Sequence, residues 1–181
     1  MRTGRLVLVT GPSGVGKDAV IGYARARLDG RDDVLFPRRI ITRPADATET
    51  PDTMDDARFD RAEADGHFLV AWRAHGLAYA LPASMAQDIA QGRQLVANVS
   101  RGIVAELRAR FPCCVVGIDA DADLRRARLA TRGRETAEAI DGRLKRAMPA
   151  TCLPDISIRN EGELAEAGER LIALIEDWRR A

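Results

Sequence analysis

Residues 5–18 read RLVLVTGPSGVGKD. The run RLVLVT is continuous and rich in branched apolar side chains, which is typical of a buried strand, and it ends directly at Gly11. From Gly11 the chain has the spacing G-x-x-x-x-G-K of a phosphate-binding loop, and apolar residues at helical spacing follow from Lys17. Strand, glycine-rich loop and helix in this order predict that the segment binds the phosphates of a nucleoside triphosphate.

Each part of this loop has a physical role in the prediction. Glycines let backbone N–H groups wrap around a phosphate, and the helix N-terminus adds a partial positive charge. Lys17 carries the cation that reaches the β- and γ-phosphates. The predicted nucleotide-binding residues are Gly11, Pro12, Ser13, Gly14, Val15, Gly16, Lys17 and Asp18.

Asp18 departs from the usual motif, which has Ser or Thr at this position to place a hydroxyl on Mg²⁺. A carboxylate oxygen is also a hard ligand suited to Mg²⁺, and a cation beside it would offset its repulsion of the phosphates. Alternatively, Asp18 only stabilises the first turn of its helix. The sequence leaves both interpretations open, and the first makes Asp18 a candidate magnesium ligand.

The composition limits the classes of function. The chain has 181 residues, enough for one domain, and 28 basic against 27 acidic residues, a balance that predicts neither a nucleic-acid nor a membrane partner. Three cysteines without metal-ligand spacing favour a reduced, cytoplasmic protein. No stretch is apolar enough to span a membrane, and the loop motif begins too early to leave room for a signal peptide.

Apolar runs alternate with helical patterns along the chain, which predicts a parallel sheet with right-handed crossovers. One polar, acidic segment, residues 43–66, breaks this alternation and is too long for an ordinary loop. It is either partly disordered or, as we favour, a functional insertion that closes over a ligand. The predicted strands after the first are 38–42, 67–72, 94–99, 113–118 and 155–160, and the predicted helices are 17–28, 83–91, 103–111, 122–131, 136–148 and 161–180.

Several motifs occur in the order and spacing of one known family: GPSGVGKD, IITRP, GHFLVAWRAHGLAYAL, LATRGRETAEAIDGRLKRA and SIRNEGELAEAGERLIALI. Over nearly its whole length the chain resembles the guanylate kinases. The resemblance implies a single α/β domain with the P-loop NTPase fold, in which helices flank a parallel core sheet formed by residues 1–42 and 82–181. It also implies an acceptor-binding insertion at about 43–81, an Arg-bearing lid at about 128–143, and the use of ATP and Mg²⁺.

The resemblance also assigns roles at the acceptor site, residue by residue. Arg43 and Tyr79 match the family's Arg and Tyr that hold the acceptor phosphate, whereas its second Arg corresponds to Asp46 here. Val70 stands where the family has the Glu that reads guanine, and Leu81 where it has a Ser or Thr beside the base. The phosphate contacts are thus partly kept, while the guanine-reading groups are absent.

A branch of this family has the same profile, including the GKD loop and the Ser-Arg pair after a central strand. The chain resembles this branch, the ribose 1,5-bisphosphate phosphokinases of phosphonate breakdown. The resemblance implies transfer of the ATP γ-phosphoryl group to the 1-phosphate of ribose 1,5-bisphosphate, which gives 5-phosphoribosyl 1-diphosphate. The alternatives are a guanylate kinase with a degenerate base pocket and a non-catalytic binding module. The candidate substrate-binding residues are Arg39, Arg43, Tyr79, Ser100 and Arg101, in a region that Arg38 and Arg73 also flank.

The candidate catalytic residues are Lys17, Arg132 and Arg143. The two arginines match the lid arginines of the family, where they clamp the transferring phosphoryl group; Arg128 is a weaker candidate. Alternatively, these arginines belong to a solvated helix face. Asn160 matches an Asn that the family places near adenine. No general base is predicted, because a phosphate monoester has a second pKa of about 6 and is largely ionised at neutral pH.

Overall fold

The computed structural model of the chain describes residues 4–42, 52–74, 76–131 and 153–180. In chain order the strands are β1 (Arg5–Thr10), β2 (Val34–Leu35), β3 (Ile40–Ile41), β4 (Asp52–Thr53), β5 (Phe68–Ala74), β6 (Leu77–Pro82), β7 (Gln94–Asn98), β8 (Cys113–Asp119) and β9 (Ile156–Arg159). The helices are α1 (Lys17–Arg27), α2 (Asp56–Ala64), α3 (Met85–Ala90), α4 (Val104–Arg110), α5 (Ala122–Thr131) and α6 (Leu164–Arg180), and a 3₁₀ turn (Arg101–Ile103) precedes α4.

The main sheet has five parallel strands in the order β2-β7-β1-β8-β9. Alternate residues of β1 point to opposite faces, as the period of a strand requires. Val7 and Val9 pack in a cluster with side chains of α1 and α6, whereas Leu6 and Leu8 pack in a second cluster with side chains of α3 and α4. The predicted parallel core sheet flanked by helices is therefore confirmed.

A second sheet of four strands, in the order β4-β3-β6-β5, lies within residues 40–82. The strands β3 and β5 both run antiparallel to β6. The expectation of a single parallel sheet is therefore wrong for the predicted strands 38–42 and 67–72. The reason is the connection: only two residues separate β5 from β6, which suffices for a hairpin, whereas a parallel crossover needs about a dozen residues or more.

The described part of the acidic segment forms β4 and α2. The Asp55 carboxylate caps this helix by accepting a hydrogen bond from the Arg58 amide at 2.8 Å. Phe59 is fully buried, and its ring centroid lies 4.8 Å from that of Phe68 on β5. One apolar side chain therefore anchors an otherwise polar helix to the second sheet.

The two sheets share one apolar cluster. The second sheet contributes Leu69, Val70, Trp72 and Leu81 to the same cluster that contains Leu6 and Leu8 of β1. This packing sets the second sheet beside the phosphate loop, which follows β1. Among the helices in the described ranges, none is long and apolar enough to cross a membrane.

Candidate active site

Residues 11–16 connect the end of β1 to the start of α1 with a backbone that requires glycine. The φ angles of Gly11, Gly14 and Gly16 are 144°, 83° and 84°, values that residues with a Cβ atom rarely adopt. Space is limiting as well, because a Cβ on Gly14 would lie 2.8 Å from the Arg125 carbonyl oxygen. The loop is thus a tight turn packed against α5, with the geometry that backbone N–H groups need to surround a phosphate.

The Lys17 side chain lies along this loop. Its Nζ donates hydrogen bonds to the carbonyl oxygens of Gly11 at 2.9 Å and Pro12 at 3.0 Å. These contacts hold the ammonium group against the loop and not in solvent. The predicted cation for the β- and γ-phosphates is therefore positioned by the loop itself.

Two further side chains support the loop from behind. The Asn160 Nδ2 donates to the Val15 carbonyl oxygen at 2.7 Å, and Arg128 donates to the carbonyl oxygens of Val15 at 3.4 Å and Asn160 at 3.0 Å. Asn160, predicted to lie near adenine, thus directs its amide nitrogen to the loop backbone. For Arg128, a weaker lid candidate, the structure gives contacts that reinforce the loop.

Asp18 lies where three segments meet. Its Oδ1 accepts a hydrogen bond from Asn98 Nδ2 at 2.6 Å and faces an Arg39 nitrogen at 3.5 Å. Asn98 is the last residue of β7 and is in register with Val9 of β1. Asp18 also occupies the first turn of α1, so the helix-start interpretation is compatible with the structure. The carboxylate therefore contacts groups from outside its own helix.

Arg39, Tyr79 and Trp72 form a three-layer stack on the second sheet. The rings of Trp72 and Tyr79 are parallel within 10°, with centroids 5.5 Å apart, and the Arg39 guanidinium carbon lies 5.7 Å from the Tyr79 centroid. Trp72 belongs to β5 and Arg39 directly precedes β3, the two strands that flank β6. Trp72 was missed in the sequence, although it lies two residues after Val70 and hence on the same face of β5.

Val70 and Leu81 are cross-strand partners on β5 and β6. They are 5% and 0% exposed and pack in the cluster that joins the two sheets. Neither side chain can hydrogen-bond. At the two positions that were predicted to correspond to the base-reading groups of guanylate kinases, the second sheet therefore has a packed hydrocarbon pair.

Comparison with known proteins identifies the family. No protein-family model matches the chain. It is 47% identical over 174 residues to the ribose 1,5-bisphosphate phosphokinase PhnN of Acidiphilium cryptum, with 96% of this chain and 93% of that protein covered. It is 44% identical over 171 residues to the protein of the same name from Methylobacterium radiotolerans, with 94% of this chain and 96% of that protein covered. The chain belongs to the ribose 1,5-bisphosphate phosphokinase PhnN family.

Two further comparisons agree with this membership. The chain is 42% identical to the bifunctional ribose 1,5-bisphosphokinase-thymidine phosphorylase of Cupriavidus necator, with 98% of this chain and 30% of that longer protein covered. The crystal structure of a guanylate kinase from Anaplasma phagocytophilum matches with a TM-score of 0.75 at 13% identity, over 99% of this chain and 88% of that one. This structural likeness shows that the chain has the guanylate kinase fold.

Ser100 and Arg101 follow β7, two and three residues after Asn98. Because β7 and β1 are parallel neighbours, this segment emerges at the same edge of the main sheet as the phosphate loop. Both residues are half-buried. The fold thus brings Ser100 and Arg101, two of the predicted substrate-binding residues, to the edge of the sheet that carries the phosphate loop.

Arg73 does not belong to this site. One of its guanidinium nitrogens lies 2.9 Å from a carboxylate oxygen of Asp60 and 2.9 Å from one of Glu63, both on α2. Hydrogen bonding to Glu63, followed by its charge and the contact with Asp60, raises the pKa of Arg73. The expectation that Arg73 flanks the acceptor is wrong, because successive residues of β5 point to opposite faces and Arg73 points to α2, away from Trp72.

Some predicted residues lie outside the described part of the chain: Arg43, Asp46, Arg132 and Arg143. Within the described part, no group of three or more His, Cys, Asp or Glu side chains is arranged to hold a metal ion. Asp18 stays a candidate ligand for Mg²⁺, because a carboxylate oxygen suits this ion. The phosphate oxygens of a bound nucleotide would supply further ligands.

Proposed function

We propose that this protein transfers the γ-phosphoryl group of ATP to the 1-phosphate of ribose 1,5-bisphosphate, giving 5-phosphoribosyl 1-diphosphate and ADP. Membership of a family whose relatives carry this enzyme name at 41–47% identity supports the reaction. The structural observation that carries the choice of acceptor is the hydrocarbon pair of Val70 and Leu81 beside an intact phosphate loop. The cytoplasmic location expected from the sequence is part of this proposal.

On the nucleotide side, residues 11–16 would surround the phosphates, and Lys17 would neutralise charge on the transferring group. Asp18 fits a magnesium ion in chemical type, because Mg²⁺ is usually held by one or two carboxylates plus the substrate phosphates. Its side chain is 44% exposed, so one oxygen can reach a ligand in the cleft. When bound, Mg²⁺ would offset the negative charge of the nucleotide phosphates, and Asp18 would be the residue that holds it.

On the acceptor side, we assign phosphate binding to Arg39, Arg43, Tyr79, Ser100 and Arg101. Guanidinium groups match phosphate oxygens with a planar fork of N–H donors. The stack on Tyr79 supports this assignment for a ligand without a base. Trp72 and Arg39 both contact the Tyr79 ring, so part of its surface is already used for stacking within the protein.

The chemistry needs positioning and charge neutralisation more than proton transfer. The 1-phosphate of the acceptor is largely ionised at neutral pH, because its second pKa is about 6, so its oxygen can attack without a general base. Lys17 and the lid arginines, Arg132 and Arg143, would then offset the charge on the phosphoryl group as it moves. This assignment of the lid rests on the resemblance alone.

GMP is the main competing acceptor, because the protein has the guanylate kinase fold. Val70 and Leu81 are buried hydrocarbon side chains, so these two positions supply no partner for the N–H donors of guanine, and each unpaired donor would cost about 1–3 kcal/mol. Two unpaired donors would together cost about 2–6 kcal/mol, so we expect discrimination of at least about thirtyfold in kcat/KM, as roughly 1.4 kcal/mol corresponds to a factor of ten.

The test is a comparison of acceptors with ATP and Mg²⁺ under identical conditions. Ribose 1,5-bisphosphate should be converted to 5-phosphoribosyl 1-diphosphate, detected by phosphorus NMR, while GMP gives little GDP. The variant Lys17→Ala is the control for contaminating kinases, since it should lose both activities. Equal kcat/KM for GMP would establish guanylate kinase activity instead, and turnover of neither acceptor would favour a binding module.

A further inference from the structure

The charged and neutral groups around the phosphate loop are arranged in an unusual way. In P-loop NTPases generally, Mg²⁺ is held by a neutral hydroxyl of the loop and by a carboxylate from a strand near it. Here the loop residue is the carboxylate, Asp18, and the residue at the end of the neighbouring strand β7 is a neutral amide, Asn98. The inference below rests on the proposed use of ATP with Mg²⁺.

The contact between these residues has a defined direction. Their separation is 2.6 Å between Asn98 Nδ2 and Asp18 Oδ1, and a carboxylate can only accept, so the amide nitrogen must face Asp18. This places the amide oxygen of Asn98 on the side away from the carboxylate. Asn98 therefore faces Asp18 as a donor and does not present its oxygen beside the Asp18 carboxylate.

Burial differs across the pair in a way that suits positioning. Asn98 is 9% exposed and sits in a parallel strand whose pairing with β1 fixes its backbone, whereas the Asp18 side chain is 44% exposed. A rigid, buried donor thus restrains a carboxylate that otherwise has solvent on one side. Arg39 is a second partner at the longer distance of 3.5 Å.

We propose that Asn98 is a positioning residue for the Asp18 carboxylate. Its amide holds one carboxylate oxygen, so that the side chain is oriented for the metal–nucleotide complex before that complex binds. In other phosphate-loop enzymes the loop position carries a neutral hydroxyl and the strand position carries a carboxylate. In this protein the charged group is at the loop position, Asp18, and the neutral group is on the strand, Asn98. An acid at position 98 would place two carboxylates in contact, and like charges at that distance repel.

Direct metal binding measures this proposal without an acceptor. We would titrate Mn²⁺ into enzyme saturated with ADP and follow the unbound ion by electron paramagnetic resonance. Asn98→Ala should weaken Mn²⁺ binding by about 10- to 100-fold, the range for partners that orient a metal ligand. In an Asp18→Asn background, where no carboxylate needs orienting, the same substitution should cause little additional loss.

Asn98→Asp separates positioning from direct ligation, and it keeps the size of the side chain in case the alanine variant does not fold. If residue 98 acts as a positioning donor, an acid there should repel Asp18, and Mn²⁺ binding should weaken. If residue 98 instead ligates the metal directly, the new carboxylate should tighten Mn²⁺ binding. Asp18→Asn combined with Asn98→Asp re-forms an amide–carboxylate pair and should recover most of the loss seen in Asn98→Asp.

Asp88→Asn is the matched control, since Asp88 pairs with Arg93 at 2.8 Å near the start of β7, the opposite end of the strand, and its loss should leave Mn²⁺ binding unchanged. Tighter Mn²⁺ binding in Asn98→Asp, or an equal effect of Asn98→Ala with and without Asp18, would overturn the proposal. Because nucleotide and metal suffice for the measurement, a wrong acceptor assignment would not affect it.

Discussion

At the scale of single residues, Lys17 is the side chain whose removal tests the nucleotide site most directly. Lys17→Ala should lower kcat by about 100-fold or more, as loss of a group that stabilises transition-state charge typically does. The measurement is initial rate at saturating ATP, with the melting temperature as a check, because Lys17 also bonds the carbonyls of Gly11 and Pro12. Retention of more than about a tenth of the rate would contradict the assigned role.

Asp18 gives a second residue-scale prediction, since its two interpretations differ in magnesium dependence. If it ligates Mg²⁺, Asp18→Ala should raise the Mg²⁺ concentration for half-maximal rate, and Asp18→Ser should only partly restore it, because a hydroxyl carries no charge. Rates measured across an Mg²⁺ titration at fixed ATP decide the question. An unchanged requirement in Asp18→Ala would favour the role at the helix start.

The sequence allowed site residues to be proposed one by one, but not the contacts between them. The loop from Gly11 to Gly16 was evident because its spacing is local. The contact of Asp18 with Asn98 joins residues far apart in the chain, and no local pattern reports a pairing that depends on which strands become neighbours. The same limit explains why Trp72 was missed, because its stack on Tyr79 depends on the pairing of β5 with β6.

At the scale of elements, α1 carries Lys17 at its start and packs on α6, and each of the two helices contains a glycine. The surroundings of these glycines differ. A Cβ added to Gly168 of α6 would lie within 2.9 Å of the Tyr23 ring of α1, whereas a Cβ on Gly22 of α1 would have nothing within 4 Å. Gly168→Ala should therefore destabilise the protein by about 1–3 kcal/mol through overpacking. Gly22→Ala should stabilise it by up to about 1 kcal/mol, the difference in helix propensity.

Urea unfolding followed by far-ultraviolet circular dichroism measures both free energies of unfolding, and each variant serves as the control for the other. Equal effects of the two substitutions would mean that the contact between α1 and α6 does not limit space at Gly168. A loss of activity in Gly168→Ala without a loss of stability would instead indicate that the position of α1 governs Lys17.

Element prediction succeeded where the apolar pattern was long and failed where it was short. β1 was predicted with its observed bounds, Arg5–Thr10, because its side chains are buried on both faces. β6 was missed since its inward residues include the small Ala78 and Ala80, which give a weak periodic signal. α2 was missed because Phe59 is its only buried residue in the described structure.

At the scale of the whole molecule, Arg39 joins the phosphate loop to the second sheet. It lies 3.5 Å from Asp18 on the nucleotide side and stacks on Tyr79 on the side predicted for the acceptor. Arg101, by contrast, follows the end of β7 in the main sheet. The two arginines should therefore respond differently to substitution, although both were predicted from the sequence to bind the same substrate.

Arg39→Ala should lower acceptor kcat/KM. The loss of transition-state stabilisation should be about 1.5–3 kcal/mol, the range for hydrogen bonds to charged groups. The same substitution removes a cation that competes with Mg²⁺ for the Asp18 carboxylate. The Mg²⁺ concentration for half-maximal rate should therefore fall by up to roughly fivefold, which corresponds to about 1 kcal/mol for a partly exposed ion pair. Arg101→Ala should lower acceptor kcat/KM alone.

Acceptor kinetics and an Mg²⁺ titration on the same preparations separate these effects, with Arg93→Ala, at the opposite end of β7 from the site, as the arginine control. A lower acceptor kcat/KM together with a lower Mg²⁺ requirement is specific to a residue placed between the two substrates. If Arg39→Ala leaves acceptor use intact, Arg39 serves the phosphate loop only; if it raises the Mg²⁺ requirement, its charge supports the orientation of Asp18 instead of competing for it.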